Sequence, residues 1–266
     1  MQLKTVTIST ISSINQLSDK EKLITYTRLI PPELMKRFAI PADFSDSNGK
    51  TLLNLDCPTG SSTAEIQLYH QVGFPDPILH GHITGTITGL VHVLLYVLND
   101  PTSPRFAIDR MPDGKQTSFG TLCRNIPAEQ DALEFGLAPG QIRRGLRLLG
   151  PAIIAFEDFV KSLGHELFFA EPLFYHNAVI FERYGFAYEK GRRLMDRIQS
   201  GFSEQGDLLP LLDGSTPFRR SDAANSIRLR SWAIHDGLLD EPFNSVTMYK
   251  RIGKSADICT CPDCEW

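Results

Sequence analysis

Between residues 64 and 109 the chain changes its hydrophobic period, and that change restricts the folds open to it. The segments AEIQLYH (64–70), ILHGHIT (78–84), LVHVLLYVL (90–98) and RFAID (105–109) are short and separated by Gly, Pro, Asn or Asp. Several are rich in β-branched or aromatic residues, so the run predicts an antiparallel meander with short turns. Helical patterns flank it. Ser18-Asp19-Lys20-Glu21 forms a capping box ahead of Leu23, Ile24 and Tyr26, which predicts a helix to about residue 29. Pro31-Pro32-Glu33 starts a second short helix through Phe38, because a first turn tolerates proline. Residues 40–63 and 110–127 read as loops, and 128–137 fits either helix or strand.

The clearest helix covers 151–163, where Ile153, Phe156, Val160 and Leu163 share one face and Gly164 suits the C-terminal cap. ELFFAEP (166–172) reads as a buried strand, 176–184 as a short helix, FAYEKG (186–191) as a strand, and 192–199 as a helix. A long irregular stretch leads to a closing strand, SVTMYKRIG, at 245–253. The expectation is a mixed α/β fold. An antiparallel meander precedes a helix-strand-helix-strand run in a single domain over 1–253, with N-terminal helices, an insertion at 192–244 and a flexible cysteine-containing tail at 254–266.

Bulk properties narrow the function classes. A net charge of −4 opposes nucleic-acid binding driven by phosphate neutralisation. The longest apolar run, Leu90 to Leu98, is interrupted by His92 and falls far short of a bilayer span. The N-terminus lacks the apolar core and small-residue cleavage site of a signal peptide, and the cysteines form no secreted framework. A cytoplasmic location, with no membrane and no nucleic-acid partner, is therefore expected.

The order of elements over 147–190 resembles the second half of the GNAT superfamily of acyl-CoA N-acyltransferases. Arg147 to Ala152, RLLGPA, fits the family's acyl-CoA loop pattern of Gln or Arg, two residues, Gly, one residue, then Gly or Ala. The segment GLAPGQIRRGLRLLG resembles the stretch leading into it, IFERYGF (180–186) resembles the signature near the family's end, and SVTMYKRIG its last strand. The resemblance implies acetyl-CoA or another acyl-CoA as donor and a small-molecule or peptide amine as acceptor, with no metal. It implies a CoA site drawn from Leu137, Ala138, Arg143, Arg144, Gly145, Arg147, Leu148, Gly150, Ala152, Asn177 and Phe181. Glycines let backbone N–H groups approach a pyrophosphate, a helix N-terminus adds a favourable dipole, and arginines add charge-assisted bonds. ELFFAEP corresponds to the strand that parts from its neighbour to admit pantetheine.

Phe181 stands where the family often carries a general-acid tyrosine. That leaves two alternatives: an enzyme using another phenol, or a non-catalytic module of the same fold that binds acyl-CoA or a partner. The acyl-homoserine-lactone synthases, which lack the glycine-rich loop and take acyl groups from acyl carrier protein, supply a third. Asp109, at the end of RFAID, is the candidate base, and Tyr175 the candidate phenol. His80 and His82 alternate as metal ligands can, but with no further ligand at a familiar spacing they read as satisfied polar side chains. Cys259, Cys261 and Cys264 crowd the tail without an evident fourth ligand, so no metal role is expected there.

Overall fold

The computed structural model describes residues 8–118, 120–239 and 241–266. The protein is mixed α/β, with seven strands among the described residues and mostly antiparallel pairing. Its contacts divide it into two compact units. The first contains residues up to 101, 145–171 and 250–254. The second contains 102–144, 172–249 and 255–266.

In the first unit, β1 (Leu53–Asp56), β2 (Thr63–Leu68), β3 (Leu79–Gly85) and β4 (Val91–Leu98) form the expected antiparallel meander. β1 lies inside the stretch read as loop; four residues, LNLD, are too short for alternation to register. Ala64, Ile66, Leu68, Leu79, Ile83, Val91 and Val93 are buried on one face. The residues between them, including Glu65, Gln67, His80, His82, Thr84 and His92, are only partly buried. A sheet with one covered and one wetter face gives this two-residue rhythm.

The apolar face is covered by helices. α1 (Ile11–Ile14), too short to register in the sequence, buries both isoleucines. α2 (Asp19–Tyr26) starts at the Ser18–Glu21 capping box and α3 (Pro32–Arg37) at Pro32. Asn15 anchors this layer: its Nδ2 donates to the Ser61 and Thr63 carbonyls, and its Oδ1 accepts from the Tyr26 hydroxyl. α5 (Leu149–Ser162) lays Phe156 against Phe168 and Tyr96, and Phe159 against Tyr26. Gly81 makes room for this packing, since a Cβ there would lie 2.9 Å from Ile66 Cγ2 and 3.4 Å from the Tyr96 ring. β5 (Leu167–Ala170) follows α5 and runs parallel to β4. The chain returns to this unit at 250–254, where Ile252 N–H donates to the Glu166 carbonyl.

The second unit holds α4 (Ile126–Glu134), α6 (Tyr175–Arg183), β6 (Ala187–Lys190), α7 (Arg192–Gly201), α8 (Ile227–His235) and the start of β7 (Thr247–Arg251), which pairs antiparallel with β6. Trp232 of α8 is its centre: the indole is fully buried, stacks on Phe218 and donates to the Leu137 carbonyl at 2.7 Å. An ionic cluster flanks it. Arg124 bridges Glu129 (2.6 Å) and Asp236 (2.8 Å), Arg219 and Thr216 add bonds to Asp236, and His235 lies 3.1 Å from Glu129.

Three expectations fail here. Residues 105–109 are not a strand, because Arg105 reaches forward four residues to Asp109 at 2.7 Å and closes a turn after Pro104. The stretch read as irregular insertion contains α8, buried over Ile227 and Leu229 to Ile234. A helix buried on all sides has no apolar stripe to betray it. The tail expected to be flexible is seated: Thr260, Cys261 and Cys264 are buried, Thr260 bonds to Glu182, and Glu265 pairs with Asn225 and Ile227.

Candidate functional site

β4 and β5 are the parallel neighbours, and they stay together only briefly. His92 faces Phe169 and Val93 faces Ala170, after which Glu171 N–H donates to the Val93 carbonyl and the strands share no further residue pair. On the same side of β4 the next contact is at its far end, where Leu146 N–H donates to the Leu98 carbonyl and Gly145 bridges Asn99. Between these two contacts, residues 94–97 have no strand paired to them on that edge among the described residues, and we refer to this gap as the opening. Local geometry promotes the parting: the β3–β4 register shifts at His82/Ile83, so Leu94 is an extra residue on β4. A bulge bends and twists its strand.

His92 sits in the first of the two residue pairs, one position before the strands diverge. Its Nε2 is 3.3 Å from Glu171 Oε1 but makes no hydrogen bond. Burial holds His92 below the ordinary imidazole range, and the Glu171 carboxylate opposes that only in part. The ring is therefore neutral near pH 7, with a nitrogen unsatisfied by the protein beside a carboxylate that stays 42% exposed. Buried polar atoms left without partners are uncommon and point to a purpose. A neutral imidazole next to a carboxylate can accept a proton, the carboxylate stabilising the imidazolium that results.

The same wetter face carries Glu65 and His80, bonded at 2.8 Å, with Gln67 also donating to Glu65. Burial pushes the Glu65 carboxyl up, but the His80 and Gln67 bonds outweigh it and bring it below the usual range. His80 is thus satisfied, as its sequence setting suggests. Among the described residues no group of three or more His, Cys, Asp or Glu side chains could hold a metal ion.

The RLLGPA segment forms the turn into α5. Arg147 is exposed and adopts φ +59°, a left-handed conformation that costs a non-glycine residue about 1–2 kcal/mol. Leu148 is the N-cap and offers no side-chain oxygen, so the first N–H groups of α5 lack a side-chain cap. Gly150 lies in the first turn, half exposed, and Ala152 packs inward, fully buried. Gly145, Arg147, Leu148 and Gly150 thus place a cation, a strained backbone and an uncapped helix start on one stretch of chain. A separate groove of about 540 Å³ is lined by residues that include Arg28, Glu33, Ile154 and Asp158; neither His92 nor Glu171 lines it.

The remaining candidates lie in the second unit, each with a structural task. Leu137 and Ala138 are buried, and their backbone groups already bond to Trp232, Ala132 and Gln141. Arg143 is buried and donates to the Ser103 carbonyl; Arg144 is exposed and lies over the Phe135 ring at 4.4 Å. Asn177 accepts from Phe174 N–H and caps α6, while Phe181 stacks on Phe186 at 4.9 Å.

Two catalytic candidates lie in settings other than those expected. Asp109 ends no strand; its Oδ2 is held by Arg105 and closes a turn, while its buried Oδ1, like His92 Nε2, makes no hydrogen bond. Tyr175 is in the first turn of α6 but 1% exposed, its hydroxyl 3.4 Å from Arg230 and its ring against Phe243. Burial pushes the phenol up and keeps it protonated, but the same burial sets it in the core rather than at the mouth of a strand. The residues missed were His92 and Glu171. Their signal was a polar residue breaking the longest apolar run, in register with the wetter face of a meander.

No helix is long and apolar enough to cross a membrane among the described residues. No protein-family model matches the sequence, and comparison with curated proteins and with solved structures gives no match.

Proposed function

We propose that the protein is an acyl-CoA-dependent N-acyltransferase of the GNAT type, using His92 as the base that deprotonates an amine acceptor. The observation that carries the reading is the parallel β4–β5 pair, joined for two residue pairs and parting after Val93, next to His92. A thioester arm lying in that opening runs along the backbone of residues 94–97, and a main-chain N–H there polarises the carbonyl. The uncapped start of α5, with Arg147, supplies the phosphate end of the site.

On this reading the amine, bound on the wetter face of the sheet, loses its proton to His92 Nε2, and Glu171 steadies the imidazolium. The nitrogen then attacks the thioester carbon and the CoA thiolate leaves. A thiol is acidic enough to depart with little help, so Phe181 at the tyrosine position costs the reaction little. The two reactants are held side by side, and that orientation supplies much of the rate.

The experiment is a thiol-release assay with acetyl-CoA against a panel of primary amines, followed as a function of pH. Because His92 is held below the usual imidazole range, the acid limb of kcat/KM is expected below pH ~6.5 and should be abolished in His92→Gln. Release of CoA from no amine, with tight CoA binding, would favour the non-catalytic module instead.

A further inference from the structure

The C-terminal segment carries a chemistry that acyl transfer does not use. Cys261 and Cys264 are joined as a disulfide across a two-residue turn, Pro262-Asp263, that is exposed. Cys261 is fully buried and Cys264 is 7% exposed. Arg230 of α8 places Nη1 3.2 Å from Cys261 Sγ.

That arginine is 3% exposed and its hydrogen bonds go to neutral groups: the Ala224 carbonyl, Gln199 Oε1 and the Tyr175 hydroxyl, with its guanidinium over the Phe202 ring. No carboxylate forms an ion pair with it among the described residues. A buried cation without an anion is costly, and the atom beside it becomes an anion when the disulfide is reduced. A cationic neighbour favours thiolate over thiol, and stabilising the reduced pair makes the disulfide easier to reduce.

We propose that Cys261–Cys264 is a redox-active disulfide that exchanges with a dithiol reductant, with Cys264 as the sulfur attacked and Cys261 as the leaving thiolate received by Arg230. A thiolate of the reductant attacks Cys264 Sγ; a mixed disulfide forms, and the Cys261–Cys264 bond breaks with its electron pair passing to Cys261. The reductant's second thiolate then attacks its own sulfur in the mixed disulfide and releases Cys264. The reductant is oxidised to a disulfide and the protein pair gains two electrons. One of the reductant's two protons ends on Cys264, and the other goes to solvent because Cys261 stays ionised.

Attack in the opposite sense would need access to a fully buried sulfur and would expel Cys264, whose neighbouring cation, Arg183, is engaged by the Cys264 carbonyl. Reduction also removes the link that closes the Pro262-Asp263 turn of the tail. Arg183 donates to the Cys264 carbonyl, Glu265 pairs with Asn225 and Ile227, and Trp266 sets its ring edge against His176. The segment loosened by reduction thus packs against α6 and α8. Cys259 is exposed with a free thiol two residues away, so it serves as an internal control rather than a member of the pair.

The test is equilibration of the full chain with dithiothreitol redox buffers, with the oxidised fraction read by thiol counting and mass mapping. The expected result is a Cys261–Cys264 disulfide in the air-oxidised protein. Arg230→Met should lower its equilibrium constant for reduction at least tenfold, a ~30 mV shift, and Arg230→Lys should recover most of the loss. Should Arg230→Met fail to fold, thiolate ultraviolet absorbance of the reduced native protein decides. One thiolate is expected at neutral pH, lost in Cys261→Ala and kept in Cys264→Ala and Cys259→Ala. An air-oxidised protein without this disulfide, or a reduced protein whose thiolate resides on Cys264 or Cys259, would overturn the proposal.

Discussion

Two histidines held neutral by burial sit in different settings, one in each unit. His176, in α6, is 2% exposed; its Nδ1 lies 2.9 Å from the Ser231 hydroxyl and its Nε2 3.1 Å from Asn177 Nδ2. Burial, with His235 as a second cause, drives it down to about 3. His92, in β4, is also pushed down by burial, but one ring nitrogen is unsatisfied and a half-exposed carboxylate stands beside it. A neutral imidazole is a requirement for a base, and both residues meet it. What separates them is satisfaction. A side chain whose nitrogens already have partners is part of the core, whereas one left unsatisfied at an opening has work remaining.

The largest expected effect follows from that difference. His92→Gln should lower kcat by about 10²–10⁴-fold, the usual worth of a positioned base, with CoA affinity and melting temperature nearly unchanged. Asp109→Asn, aimed at the residue that sequence reasoning favoured, should leave turnover within about twofold and lower thermal stability by loosening the Arg105 turn. Equal losses in the two variants would erase the distinction.

Next in size is the Arg147 turn. Replacement by glycine removes a non-glycine residue from the left-handed region, so Arg147→Gly should hold or raise stability by up to ~1 kcal/mol. It should also weaken CoA binding, since a charge-assisted bond is worth about 1.5–3 kcal/mol. A variant that gains stability and loses affinity identifies strain kept for a ligand. Loss of both would make Arg147 a structural residue.

The last effect concerns pH. The His176 pKa is about 3 in the fold and near 6.5 when unfolded, so below pH ~6.5 the unfolded chain binds the extra proton first. The stability that neutral His176 contributes is therefore present above that pH and is lost progressively as pH falls toward 3. Urea midpoints measured from pH 7 downward should decline more steeply in the native protein than in His176→Gln. Parallel declines would show that other groups govern the acid limb.

How much of this was legible depends on where the information lay. The meander from 64 to 98, the 151–163 helix and the strand after it were readable because one face of each is buried and the other is not, so period and composition agree. α8 was not, because Ile227, Arg230, Ser231 and Trp232 are buried around the whole helix and leave no stripe. Nor was the failure of RFAID as a strand, which rests on the Arg105–Asp109 pair, a side-chain contact that β propensity does not see. Of the site, RLLGPA was legible as a helix-starting turn with a cation. His92 and Glu171 were not, for they lie 79 positions apart and are joined only by the parallel β4–β5 pairing. Long-range parallel contacts are the kind that a local pattern cannot announce.

The central claim is that the opening between β4 and β5, with the turn into α5, receives an acyl-CoA. Isothermal titration of the purified protein with CoA addresses it directly, because binding needs neither the acceptor nor turnover. The account expects saturable one-to-one binding in the micromolar range, retained in His92→Gln and weakened at least tenfold in Arg147→Glu. Absence of binding to the native protein, or binding indifferent to Arg147→Glu, would contradict it.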